Sequence, residues 1–221
     1  MRRHDPDRFL TALFAPAARR EALFTLYAFN HELARAREVA REPMMALVRL
    51  QWWREVVEGA VRRHEVAGPV AEALAAGALL AADLEGMIAG REMEIEGEDW
   101  REWILATAGG VSVAAASALL AVPGDPHPGP LPLAGEGAVR LLGGAYGVAG
   151  LWRSGRLADD ERGLGLEWLE AGPVPQDVRP AVLVAALARR DLSRDVPVRE
   201  RGIGDKLAVV RMAISGGMPP R

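Results

Sequence analysis

The run LFAPAARREALFTLYAFNHELARARE, residues 13–38, holds a single proline, at position 16, and no glycine. Proline suits the first turn of a helix, where its missing N–H leaves no hydrogen bond unmade. The run therefore reads as one long helix from Pro16 to about Ala40. It begins as core, but Asn30, His31, Arg35 and Glu38 are polar where a buried face would continue.

Helical spacing recurs along almost the whole chain, and strand alternation appears nowhere. Asp5 is a cap residue and Pro6 opens a short first helix carrying Phe9, Leu10, Leu13 and Phe14. Pro43 opens a third helix, read through His64, with Leu47, Leu50, Trp53 (or Trp52) and Val57 as its inward stripe. Adjacent Trp52 and Trp53 point about 100° apart on a helix, so one belongs to the core and the other is partly exposed. Further helices are expected over 68–77, 78–95, 99–121, 138–157, 160–170, 177–193 and 203–215. Gly143, Gly144, Gly147 and Gly150 cost helix propensity but admit close approach of another helix or a ligand. VPGDPHPGPLPLAGEG, residues 122–137, holds five prolines and four glycines and reads as a surface loop or insertion. The expectation is a single all-α domain over residues 1–221.

The bulk numbers exclude several classes. A net charge of −3 argues against nucleic acid as a partner. The absence of cysteine removes disulfides, thiolate metal sites and cysteine nucleophiles. The start, MRRHDPDRFL, is basic, but acids interrupt it and no long apolar run follows, so no signal peptide is read there. No run of about 18 uninterrupted apolar residues is present; the best, GGVSVAAASALLAV at 109–122, reads as a buried helix. The expected location is cytoplasmic. The basic start and one exposed tryptophan permit weak peripheral contact at the inner membrane.

His4, His31, His64 and His127 form no pair at metal-binding spacing. The serines lie in no nucleophile elbow. The acidic run REMEIEGED, 91–99, places Glu92 with Glu96, and Glu94 with Glu98, on shared helix faces. Mg²⁺ is commonly held by one or two carboxylates plus phosphate oxygens. A metal reading therefore stands beside a solvated helix end, which is favoured for Glu96 and Glu98.

LFAPAARREALFTLYAFNHELARARE and EPMMALVRLQWWREVVEGA, followed by LEGMIAGREMEI, LLGGAYGVAGLWR and RPAVLVAALARRDL, resemble the squalene and phytoene synthase family. The likeness runs in order through nearly the whole chain. It implies an isoprenoid-synthase-like helical bundle around a central cavity. It also implies head-to-head joining of prenyl diphosphates, with Mg²⁺ held by two aspartate-rich motifs on facing helices. Residues four apart stack on one helix face, which suits such a clamp.

Laid on this chain, the first motif falls at Ala34 and Glu38, the second at Ser154 and Ala158, after Arg153. Three of the four acidic positions are gone. Asp159, Asp160 and Glu161 lie off the expected face. Only Glu38 and Glu94 match acidic family positions, and they are the weak metal candidates. The resemblance is to the aspartate-depleted branch, related to respiratory complex I assembly factors. It implies binding or assembly without turnover, with no cofactor. The alternative is a Mg²⁺-dependent prenyltransferase, and a third reading is a helical binding module with no lipid connection. Arg20, Tyr27, His31, Glu38, Arg49, Trp53, Arg91, Glu94 and Arg153 are the residual cavity and anion-binding candidates. The implied partners are complex I subunits or a prenyl- or lipid-like ligand.

Overall fold

The computed structural model describes residues 3–121, 133–197 and 200–218. Among the described residues the structure is all-α, with no strand. The helices are α1 (Pro6–Ala12), α2 (Ala17–Val39), α3 (Pro43–Val57), α4 (Ala67–Ala75), α5 (Ala81–Glu96), α6 (Trp100–Ile104), α7 (Gly110–Leu120), α8 (Leu133–Arg153), α9 (Arg162–Trp168), α10 (Val184–Leu192) and α11 (Ile203–Ser215). Asp5 caps α1 by accepting from the Arg8 N–H at 2.9 Å, and Pro6 sits in its first turn, as the sequence predicts.

One contiguous apolar core runs from Ala12 to Met212. On α2, Leu23, Leu26, Phe29 and Leu33 are buried at the three-to-four spacing of an inward stripe. α7 has no polar face; Val111 through Ala116, with Ala118 and Leu119, are buried. It packs against α2, α5, α8 and the 3₁₀ segment Gln176–Val182. By length and composition the run Trp100–Leu120 is apolar enough to cross a bilayer, but 67% of the 18-residue apolar window within it is buried inside the fold. It is the core helix that residues 109–122 suggested.

Several boundaries differ from the sequence reading. The helix read over 99–121 is interrupted by a π turn, Leu105–Gly109. α8 crosses at that turn. A Cβ at Gly147 would meet the Ala108 Cβ at 2.7 Å, and one at Gly143 would meet the Ala108 carbonyl at 2.8 Å. The glycines there do bring a second helix close. α3 ends at Val57 rather than near His64, because Gly59 turns the chain with φ +103°. The helix read over 177–193 begins as a 3₁₀ segment, since Pro180 has no N–H to give an α-helical ladder. α8 starts at Leu133, inside the stretch read as loop; Glu136 and Arg140, one turn apart, pair at 2.9 Å along it. The rest of that stretch, 122–132, lies outside the described residues.

Candidate functional site

α1, α2, α5, α6, the π turn and α8 enclose a cleft of about 210 Å³. Its floor is apolar: Trp103, Ile104, Ala108, Gly147, Gly150 and Leu151. Its polar lining includes Arg8, Asn30, Arg91, Glu94, Tyr146, Ser154 and Arg156. A Cβ at Gly150 would have nothing within 4 Å, so this glycine leaves the floor open where Gly143 and Gly147 do not.

Glu94 is buried on α5, and three guanidinium groups converge on it. Arg91 Nη1 donates to its Oε2 at 2.7 Å, one helical turn away. Arg37 Nη1 reaches Oε1 at 3.2 Å from the end of α2. Arg156 Nη2 reaches the same oxygen at 3.5 Å. Gly155, with φ +70°, ends α8 in the left-handed region and turns the chain so that Arg156 comes back over the cleft. There its guanidinium also lies 5.9 Å from the Trp103 ring. Burial pushes the Glu94 carboxyl up, but Arg91, Arg156 and Arg37 outweigh it and hold the group below its ordinary range.

Other candidates are distributed differently. Glu38 is exposed and makes no ion pair among the described residues; its neighbour Arg37 is the α2 side chain that reaches Glu94. One step on a helix turns a side chain by about 100°, which separates the two. Arg20 donates to the Ala15 carbonyl at 2.9 Å and fastens the start of α2. Arg49 is exposed and lines an outer pocket with Arg35, Trp52, Trp53 and His64. Trp53 is core, edge-on to Phe29 at 5.4 Å, while Trp52 is partly exposed. Tyr27 is buried 5.9 Å from the Arg8 guanidinium, and burial raises its hydroxyl well above the ordinary value. His31 stacks on His4 at 4.6 Å; burial and that neighbour lower its pKa.

Arg153 points away from the cleft acid into a second network. It lies 3.5 Å from Asp191 and 3.9 Å from Asp7. Arg201 bridges the same two acids, Asp7 at 2.8 Å and Asp191 at 2.6 Å, and the Tyr146 hydroxyl donates to Asp7 at 2.9 Å. Arg8, Asn30, Arg37, Arg156 and, apart from Arg153, the terminal network were not among the sequence candidates. Arg156 had a readable signal, a glycine immediately before an arginine after a long helix; Arg37, Asp7 and Arg201 had none, since their partners lie far off in sequence.

The magnesium clamp that the resemblance implies needs carboxylates facing each other across the cleft. Glu94 is the one acid among the described residues lining it. No group of three histidine or acidic side chains converges anywhere among the described residues. Arginines stand where further carboxylates would be needed. This donor set does not fit a cluster of hard divalent cations, which take oxygen ligands.

The family model for squalene/phytoene synthase matches residues 1–154, a span that contains α1 through α8. Two curated relatives share shorter segments. Human NADH dehydrogenase (ubiquinone) complex I, assembly factor 6 is 38% identical over 58 residues, 26% of this chain and 17% of that protein. Its bovine counterpart is 34% identical over 71 residues, 32% of this chain and 21% of that protein. The matched segments thus span about a fifth of the length of these relatives. No solved structure matches the chain. The family match covers most of the sequence and most of the elements that build the cleft, and the chain belongs to the squalene/phytoene synthase family.

Proposed function

We propose that this chain is a catalytically silent member of its family, working by binding, as an assembly factor for respiratory complex I. The observation that carries the reading is Glu94. The one carboxylate lining the cleft among the described residues is paired with Arg37, Arg91 and Arg156, where prenyl transfer by the family route needs acids free to hold Mg²⁺. The cleft, about 210 Å³, also falls below the roughly 300–1,000 Å³ of ordinary small-molecule sites. The two relatives that carry the assembly-factor name supply the biological direction. In this reading the protein needs no cofactor, and its partners are complex I subunits.

Deletion of the gene tests the proposal. Assembled complex I, measured by native gel and NADH oxidation, is expected to fall while squalene and carotenoid levels hold. Purified protein with farnesyl diphosphate and Mg²⁺ is expected to give no product. Normal complex I with altered isoprenoids would sink the reading in favour of a prenyltransferase.

A further inference from the structure

α11 is apolar on two opposite sides. Asp205, Ala208, Val209 and Met212 are buried on the side that meets the rest of the chain. Ile203, Leu207, Val210 and Ile214 lie on the other side, about half a turn away around the helix. Ile203 and Ile214 are each 79% exposed, and Leu207 is 59% exposed. This orientation is held. Asp205 accepts from Arg190 at 2.6 Å and from Arg194 at 2.7 Å, so α11 cannot roll its outer side chains inward without breaking that pairing.

The outer side chains follow one another at intervals of four, three and four residues, the alternation of d and a positions in a heptad. They stay within a strip about 60° wide, at about 100° per residue. An ordinary core-facing stripe is roughly 100° or more across, and the narrower strip is that of a helix–helix seam. It holds no tryptophan or phenylalanine, the side chains with which interfacial helices enter a bilayer. Lys206 and Arg211 are exposed and flank the strip, one on each side, at g and e positions. Asp205, the one acid of the helix, is buried. A second copy of the chain would set Lys206 against Arg211 in parallel pairing, or each against itself in antiparallel pairing, and like charges oppose both.

We infer that the outer face of α11 is a docking seam for an amphipathic helix of another protein, with aliphatic a and d positions and glutamate or aspartate at e and g. The apolar strip supplies the attraction, and the two cations select the acidic partner. With 13 residues, α11 offers less than the roughly 1,600 Å² of a standard interface, which suits a partner that is held and then released. The seam gives the binding role proposed above a surface, and its biological use rests on that reading.

The test is fluorescence anisotropy of two labelled synthetic helices with the full chain. Both carry isoleucine and leucine at a and d; one has glutamate at e and g, the other lysine. Neither pairs well with itself, because its own flanks repel. The acidic helix is expected to bind saturably, at least about tenfold tighter than the basic one, and to weaken in about 1 M NaCl. Leu207→Asp should weaken it by more than about tenfold while the melting temperature holds, because the position is exposed. The double variant Lys206→Glu, Arg211→Glu should reverse the preference, so that the basic helix binds tighter. Binding of neither helix, or equal binding by wild type and Leu207→Asp, would overturn the seam. If Leu207→Asp does not fold, an unreversed preference in the charge variant overturns it equally. Phosphatidylglycerol vesicles that bind wild type but not Leu207→Asp, with both helices ignored, would overturn it in favour of a bilayer. A dimer in sedimentation that Leu207→Asp abolishes would overturn it in favour of self-association. Helix binding is read without complex I, and the deletion test without the helices, so the seam and the assembly reading fail separately.

Discussion

Two arginine-rich clusters share Tyr146 as a common wall, and they are built on opposite plans. In the terminal network the acids are shared out. Arg201 bridges Asp7 and Asp191, Arg194 bridges Asp191 and Asp205, and Arg190 also holds Asp205. Asp191 and Asp205 are almost fully buried, and the Arg201 side chain is only 12% exposed. This network ties α1 to α10 and to the chain leading into α11, joining residues 194 positions apart. In the cleft, three arginines converge on a single acid, and two of them, Arg37 and Arg156, are about half exposed, at 51% and 50%. A balanced buried network acts as a lock, because breaking one partner strands the others. An unbalanced, half-wet one retains charge that a ligand can use.

The sharpest way to break the comparison is to remove one arginine from each cluster. Arg201→Ala should destabilise the protein by about 3–5 kcal/mol, since Asp7 and Asp191 lose their shared cation in a buried setting. Arg37→Ala should cost at most about 1 kcal/mol, because a half-exposed pair is screened and Glu94 keeps two partners. Urea denaturation of both variants reads the difference; equal losses would erase the distinction between lock and site.

A second contrast concerns the floor. Gly147→Ala should destabilise by about 1–3 kcal/mol, because the new Cβ meets the Ala108 Cβ at 2.7 Å and neither can swing aside. Gly150→Ala, one turn along the same helix, meets nothing within 4 Å and should be neutral or stabilising by up to about 1 kcal/mol from helix propensity. Thermal melts of the two variants separate a glycine kept for helix contact from one that keeps the floor open.

The smallest expected effect is on pH dependence. Glu94 and Asp205 have lowered folded pKa values: burial raises both, but for Glu94 its arginines, and for Asp205 Arg190, the Gly202 N–H and Arg194, prevail. Their stabilisation is present above the ordinary carboxylate range and is lost as pH falls through the folded values. Asp191 runs the other way. Burial, only partly offset by Arg201, raises it, so its ionised form is a cost that protonation relieves. Glu94→Gln should therefore show a shallower loss of stability on acidification than wild type, and Asp191→Asn a steeper one. Denaturation curves between pH 3 and 6 measure both slopes.

Much of this was legible in the one-dimensional pattern. Pro16 and Pro43 mark helix starts, Leu50 and Trp53 fall on the buried stripe of α3, and the stretch after Gly109 is a core helix, because helical period and proline geometry act over neighbouring residues. The candidate site was legible only in part. Arg91 and Glu94 lie one turn apart on one helix, so their pairing is local, and both line the cleft. Glu38 is the α2 acid that the motif alignment points to, yet the rotation of α2 brings Arg37, and not Glu38, to Glu94.

What the sequence by itself determined is the helical class and the small-residue seam at Gly143 and Gly147. Both follow from residue identity and spacing of a few positions. What only the tertiary structure decided is which charges meet. Arg37, Glu94 and Arg156 come from three separate segments, and Asp7 finds Arg201 from the far end of the chain. Coulombic and hydrogen-bond partnership depends on distances of a few ångströms, and those distances are set by how whole helices pack, which no local stretch of sequence encodes.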